Sequence, residues 1–389
     1  MFEYFPTNYP WSLTVACSIA MGAEMSEIAD VCRPLSNVVS GVSHAVANEA
    51  WYQSWSNVAQ RMERLGGDME RRGWLYSAGE YYFRAANYFL MAERNTPWAD
   101  GRKLYTYKKA QKYFYEALKL RGDLAKRVTI PYGESKEVAA ILSLPEGPGP
   151  HPAVIFFNGF DSIKEMHYAF YAKDAAKRGI AVLFIDQEGT GEAMRLQGIH
   201  KQVESEKIAG MWYDYLAALP EIDGDRIGVS GISNGGYDAP RSAAFEKRLK
   251  AVVCVGAFYN ADDYMGRFEG GKMSVTAGLA DLDEHMMKVH GVDDVETAWR
   301  AFAKRDLNGV MDKVTVPLLV VHGENDRQVP IWHADRTIAE AVNSPKVEYK
   351  VFTLSEGSTE HVGVDNMPMH SQYVFDWFAE ALGGVTSAG

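Results

Sequence analysis

The sequence predicts an α/β fold, a mainly parallel sheet flanked by helices, with a helical insertion and an all-helical domain in front of it. Three observations predict it. Apolar residues over the first 125 positions recur at helical spacing. From residue 128 onward, short continuous β-rich runs alternate with helical stretches, the pattern of strands covered on both faces. Between one such run and a helix stands Gly231-Ile232-Ser233-Asn234-Gly235-Gly236, a strand, turn and helix signature.

Over residues 43–65, Val46, Ala50, Trp51, Val58, Met62 and Leu65 form one helical stripe, closed by Gly66-Gly67. A second helix over about 69–94 turns Trp74, Ala78, Tyr81, Tyr82, Ala85 and Phe89 inward, and a third over about 98–120 stops at Gly122. The pair has the aromatic and alanine packing of a helical repeat hairpin. A solenoid needs at least three units and no third is present, so residues 1–125 are expected to form a cap-like helical domain. Residues 11–23 are mostly apolar but too short to span a bilayer, and Glu3 without any Lys or Arg precedes them, unlike a signal peptide. They are read as an arm and helix packed on the body.

The second expected domain covers residues 126–389. Residues 128–130 and 138–144 flank Pro131-Tyr132-Gly133-Glu134 as two strands and a turn. Strands follow at 153–157, 181–185, 227–230, 252–255, 317–321 and 347–352, with helices near 164–178, 202–219, 235–246, 332–342 and 369–382. The connection 257–315 is far longer than a crossover requires, and its Met265, Met273, Met286, Met287, Trp299 and Phe302 indicate a helical insertion over one end of the sheet.

Composition narrows the function. With 389 residues, 47% hydrophobic and 23% charged, the chain is globular and long enough for two to three domains. A net charge of −11 without basic clusters argues against nucleic acid and anionic lipid. Cys17, Cys32 and Cys254 show no CxxC spacing, so neither a disulfide framework nor a zinc site is expected, and a cytoplasmic location fits. Gly189-Thr190-Gly191-Glu192 lacks the G-x-G-x-x-G frame and a Walker lysine, and is read as the turn after strand 181–185. No cofactor and no metal is expected.

The chemistry is concentrated at Ser233. Only glycines let strand and helix approach at such a turn, leaving the hydroxyl at the sheet's carboxyl edge and the positive end of a helix. Ser233 is the candidate nucleophile. A hydroxyl needs a base and an orienting acid, in the chain order Ser, Asp, His. Strand 317–321 runs into His322-Gly323-Glu324-Asn325-Asp326, where Asp326 is the candidate acid; Glu324 competes, but Asp326 stands just before Val329-Pro330 and the next helix. His361, on the loop between the last strand and the final helix, is the candidate base among ten histidines, with His322 read as strand-end packing and His370 as a helix-opening residue. Acyl chemistry also needs donors for an oxyanion, and the backbone N–H groups of Asn234 and Phe160 are the candidates.

These residues resemble the α/β-hydrolase superfamily over about 128–382, and more narrowly the branch of bacterial 2,6-dihydroxypseudooxynicotine hydrolase and the fungal polyketide-shortening hydrolases. The likeness rests on a helical domain ahead of the sheet and on the turn from Asp186 to Glu192 ending Gly-Thr-Gly-Glu. It rests further on Gly-x-Ser-x-Gly-Gly with Ser242-Ala243-Ala244 and Arg248-Leu249, on Gly256-Ala257-Phe258, and on the HGxxD element at His322 to Asp326. Asn158 replaces the histidine of an HG pair, and Glu188 and Asn234 stand where the branch looks apolar or Pro-like. The prolyl-oligopeptidase family shares Ser-Asn-Gly-Gly elbows, but its N-terminal β-propeller is absent here.

The resemblance implies an α/β-hydrolase fold and hydrolysis of a carbon–carbon bond beside a ketone, with Ser233, Asp326 and His361 as nucleophile, acid and base. The expected partner is a small-molecule substrate, an aromatic ketone or polyketide β-diketone, in an apolar pocket roofed by the helical domain and the insertion; a homodimer is left open. The leaving carbon departs as an enolate-like anion, so the substrate needs a second carbonyl or a phenol. Asp262, Asp263 and Glu269 are candidate auxiliary acids. His361 deprotonates Ser233 or a water it orients. A carboxylesterase, lactonase or acyltransferase would use the same residues on an ester or thioester, and a catalytically silent binding module is the reading from another class.

Overall fold

The computed structural model describes residues 1–38, 42–269 and 281–386. The chain folds as two compact units, one holding Met1–Ala125 with a second segment ending at His285, the other the remainder from Lys126.

The first unit is built of α1 (Tyr9–Ala20), α2 (Met25–Leu35), α3 (His44–Arg71), α4 (Leu75–Arg94) and α5 (Arg102–Arg121). A ladder of buried rings, Phe5, Trp11, Trp51, Trp55 and Tyr88, forms its core, successive centroids lying 4.9 to 5.9 Å apart. Each such side chain removed from water contributes about 1.5–3 kcal/mol. Two expectations are corrected here. Gly66-Gly67 does not close a helix: α3 continues through both and stops before Gly73, whose φ is +76°. Gly66 makes room for a neighbour, because a Cβ there would stand 2.5 Å from the Tyr82 ring. Trp74, expected inward, falls in the break between α3 and α4 and is 54% exposed, with the Arg72 guanidinium over its ring.

Among the described residues the second unit carries eight strands, β1 (Ala125–Tyr132), β2 (Lys136–Ser143), β3 (His151–Phe157), β4 (Ala181–Ile185), β5 (Ile222–Ile232), β6 (Val252–Val255), β7 (Leu318–Gly323) and β8 (Val347–Phe352). They lie in the order β1-β2-β4-β3-β5-β6-β7-β8, with β2 antiparallel to β4 and every pairing from β4 to β8 parallel. Interspersed are α6 (Lys164–Lys177), α7 (Gly191–Gln197), α8 (Ser205–Ala217) and α9 (Gly235–Phe245). The insertion holds α10 (Asp262–Glu269), α11 (Leu282–His290), α12 (Val295–Phe302) and a 3₁₀ turn at Met311–Lys313, and α13 (Trp332–Glu340) and α14 (Met367–Leu382) complete the chain. Met273 lies outside the described residues.

Gly228 of β5 faces Phe378 and Leu382 of α14, whereas Gly231 faces the first residue of α9, so both faces of the central strand are covered. That double cover is why these strands read as unbroken apolar runs. α7 corrects the reading of residues 189–192 as a turn alone, for the helix starts inside it at Gly191. Among the described residues no helix is long and apolar enough to cross a membrane. All three cysteines are free and buried.

Candidate active site

Ser233 follows β5 and precedes α9 with φ +56°, a left-handed conformation that costs a non-glycine residue about 1 kcal/mol or more. Its N–H donates to Val255 O and its carbonyl accepts from Gly236 N–H, each at 2.7 Å, which holds the strained turn. The neighbouring glycines are steric necessities. A Cβ on Gly231 would lie 2.0 Å from Gly235 O, one on Gly235 2.7 Å from Asn158 O, and one on Gly236 3.0 Å from Ala257 Cα. The Ser233 side chain is thereby lifted off the carboxyl edge of β5 at the start of α9.

His361 arrives from the loop after β8. Its Nε2 is 3.0 Å from Ser233 Oγ, and its Nδ1 is 2.9 and 2.8 Å from the two Asp326 carboxylate oxygens. A carboxylate only accepts, so Nδ1 carries the hydrogen and Nε2 turns its lone pair to the hydroxyl. Asp326 Oδ1 also accepts from Gln328 N–H at 2.8 Å and Val329 N–H at 2.9 Å. Burial alone would push the Asp326 carboxyl up; the electrostatic attraction and hydrogen bond of the His361 N–H outweigh it and hold the group below the usual carboxylate value.

Two loops must cross for this to happen, and Gly323 lets them. A Cβ on Gly323 would meet Thr359 O at 2.2 Å, while Asn325 N–H donates to that same carbonyl at 3.0 Å. Glu360 is buried, taking Asn325 Nδ2 at 2.6 Å and Arg327 Nη2 at 3.1 Å, and Asp365 caps the N–H groups of Thr359 and Glu360. Val362 and Gly363, both at positive φ, then turn the chain. Gly256, opposite, would bring a Cβ within 2.9 Å of Val362 and 3.8 Å of His361 Cε1.

The competing residues fall elsewhere. Glu324 is exposed and accepts from Leu354 N–H at 2.7 Å. His322 is buried, its Nε2 donating to Val329 O at 2.9 Å. His370 is buried within α14.

On the other side of Ser233 the loop after β3 passes close by, the Cβ position of Gly159 lying 3.3 Å from Ser233 Cβ. Gly159 N–H donates to Ser162 Oγ at 2.7 Å, and Phe160 comes next, its ring edge-on to Phe302 at 5.9 Å. Asn158 is fully buried and donates to Asp186 Oδ1 at 2.8 Å and Thr190 Oγ1 at 3.1 Å. Asp186 also accepts from Lys164 Nζ at 2.7 Å and Glu192 N–H at 2.7 Å, and a Cβ on Gly191 would collide with it. The Gly-Thr-Gly-Glu turn is thus an anchor for the loop carrying Gly159 and Phe160.

Glu188 is buried against Tyr132 Oη, 3.1 Å away, and burial pushes its carboxyl up. Asp262 is exposed and accepts from Asn260 Nδ2; Asp263 accepts from Trp332 Nε1 at 2.7 Å; neither joins the hydrogen-bonded chain of Ser233, His361 and Asp326. The side chain of Glu269 lies outside the described residues. Among the described residues no three His, Cys, Asp or Glu side chains are grouped to hold a metal ion. Sequence reasoning missed Glu360 and the Lys164–Asp186 pair, whose partners lie on other segments, Asp365, which caps N–H groups of its own loop, and Arg305, which donates to the Asn234 side chain.

The model of the family described as "Esterase FrsA-like" matches residues 36–335. The α/β hydrolase gkaG of Penicillium citrinum is 30% identical over 222 residues, 54% of this chain and 52% of its own, and the chain spans about half the length of the first curated relatives it matches. The 2,6-dihydropseudooxynicotine hydrolase of Paenarthrobacter nicotinovorans is 27% identical over 333 residues, 84% of each chain. The solved structure of a 2,6-dihydroxy-pseudo-oxynicotine hydrolase superposes with a TM-score of 0.77 at 25% identity, covering 94% of this chain and 95% of its own.

Proposed function

We propose that this chain, which belongs to the FrsA-like esterase family, is a hydrolase that acts through Ser233, His361 and Asp326 on a carbon–carbon bond beside a ketone. The observation that carries the serine mechanism is the continuous chain from Ser233 Oγ through His361 to Asp326 at a strained elbow. The choice of a carbon–carbon bond rests on the likeness to the 2,6-dihydropseudooxynicotine hydrolase over 84% of both chains.

In this reading His361 Nε2 takes the Ser233 proton as Oγ attacks the ketone carbonyl, and the imidazolium is steadied by Asp326. The N–H groups of Asn234 and Phe160 hold the oxyanion. Its collapse breaks the carbon–carbon bond, and the leaving carbon departs as an enolate that takes the proton from His361. A water deprotonated by the same imidazole then releases the acid from Ser233. A second carbonyl or a phenol on the leaving fragment is required, because an unstabilised carbanion is not a competent leaving group. The family's description as esterases supports a second reading, the same steps on an ester, where the alkoxide needs no such help.

The deciding experiment offers benzoylacetone, an acyl-phenol and p-nitrophenyl butyrate to the parent and to Ser233→Ala. Faster cleavage of a ketone than of the ester, lost by about a thousandfold or more in the variant, is the expected outcome. Efficient ester hydrolysis with no product from any diketone rules out the carbon–carbon reading, and retention of activity within tenfold in Ser233→Ala rules out the nucleophile.

A further inference from the structure

Arg305 follows α12 in the insertion, and its side chain is wholly buried. The guanidinium lies 4.8 Å from the Phe302 ring centroid, within the aromatic group that includes Phe160 and Phe258. One nitrogen donates to Asn234 Oδ1, and another to His290 Nε2 at 3.4 Å. Neither bond goes to a carboxylate, and Nε has no partner. Asp238, whose charge acts on Arg305, is already ion-paired with Lys201, Nζ to Oδ2 at 2.5 Å. A buried guanidinium without its own carboxylate is costly to a fold, and a well-packed apolar residue would fill the space more cheaply. The neighbourhood holds two basic groups, Arg305 and Lys201, and two acidic ones, the ion-paired Asp238 and Glu188; burial lowers Lys201 and raises Glu188, and it lowers Arg305 only to about 10, where the guanidinium keeps its charge at neutral pH. His290, lowered to about 3 first by burial and then by Arg305, stays neutral and can accept the Arg305 hydrogen.

The side chain that Arg305 grips belongs to the residue directly after Ser233, and the Asn234 N–H finds no acceptor among the described residues. We propose that Arg305 is the electrostatic positioning residue of the oxyanion site: it fixes Asn234 through the side-chain bond, and it provides a fixed positive charge toward the oxyanion that forms on a carbonyl bound at Ser233. The proposal rests on Ser233 being the nucleophile. Such a charge acts on the charged transition state more than on the uncharged ground state.

The test uses the full chain with Arg305→Met and Arg305→Lys, p-nitrophenyl butyrate as substrate, phenylboronic acid as a probe and acetophenone as an uncharged competitor. Ser233 Oγ adds to the trigonal boron, its proton passes to His361, and the tetrahedral adduct carries one negative charge. Arg305→Met should lower kcat about 10- to 100-fold with KM within about threefold, less than the loss of a direct donor, and weaken phenylboronic acid by a similar factor. Acetophenone inhibition should not change, and Arg305→Lys should recover part of both losses by keeping the charge. Phenylboronic acid affinity within twofold of the parent in Arg305→Met overturns the proposal, and so does equal weakening of acetophenone and phenylboronic acid, which would mark Arg305 as packing. A parent chain that a fluorophosphonate does not label removes the nucleophile and this proposal with it; a labelled parent with unchanged phenylboronic acid binding removes only the role of Arg305.

Discussion

Replacing Gly323 with alanine tests the loop crossing without touching any residue of the candidate chemistry. Gly323 does not sit at positive φ, so the effect of a methyl group is steric. The added Cβ would stand 2.2 Å from Thr359 O, 2.5 Å from Thr359 C and 2.8 Å from Glu360 O, where ordinary contact begins at 3.4 Å. The Thr359 carbonyl must therefore retreat by about 1 Å, against bonds from Asn325 N–H and the Asp365 brace. His361 is two residues further on, and its 3.0 Å bond to Ser233 Oγ cannot survive a displacement of that size. A misplacement of about 1 Å costs on the order of 100-fold in rate, and overpacking costs about 1–3 kcal/mol of stability. The assay is kcat and the rate of fluorophosphonate labelling, with urea unfolding to follow stability. Gly101→Ala is the control, since a Cβ there meets nothing within 4 Å and its φ is −56°. A folded Gly323→Ala chain whose kcat stays within twofold of the parent would refute the reasoning.

Asp326→Asn should keep the fold and lower kcat by about 10⁴-fold, because an amide cannot hold the required imidazole tautomer, whereas Glu324→Gln, at an exposed position, should match the parent; the reverse ranking in steady-state kinetics exchanges the assignment. His370 is wholly buried with neither ring nitrogen hydrogen-bonded, and burial lowers it to about 3, whereas the unfolded imidazole protonates near about 6.5. Between those values the unfolded chain binds a proton that the folded chain refuses, so stability falls as pH falls, by about 1.4 kcal/mol per pH unit from this residue. His370→Phe, packing on Phe352, should shrink the loss of unfolding free energy between about pH 6.5 and 5 by roughly 2 kcal/mol; an unchanged difference in urea titrations counts against it.

The parts legible in the sequence were those encoded over a few residues. β4 and β6 match their apolar runs residue for residue, since burial on both faces writes itself directly into composition, while β8, the half-exposed edge strand, matches by its β-branched and aromatic residues alternating with charged ones. The elbow was legible because its glycines flank the serine at one turn, where Gly231 answers a local steric demand, the approach of Gly235. Gly66-Gly67 misled for the same reason in reverse: glycine weakens a helix locally, but here a tertiary neighbour, the Tyr82 ring, requires its absence of side chain and the helix continues. Trp74 misled because periodicity assigned it to a helical face, whereas it occupies the break beside Gly73.

By itself the sequence determined the order of strands and helices, the strained turn at Ser233, and the loops from which Asp326 and His361 come, because dihedral preference and hydrophobic period act between near neighbours. Only the tertiary structure decided which of Glu324 and Asp326 meets His361, how Gly323 and Thr359 cross, and why Asn158 is tied to Asp186. It alone placed Arg305 on the side chain of Asn234, at a separation of 71 residues. Pairings between buried polar groups are chosen by distance in space and by the need to satisfy every donor and acceptor away from water, and neither leaves a period in the chain.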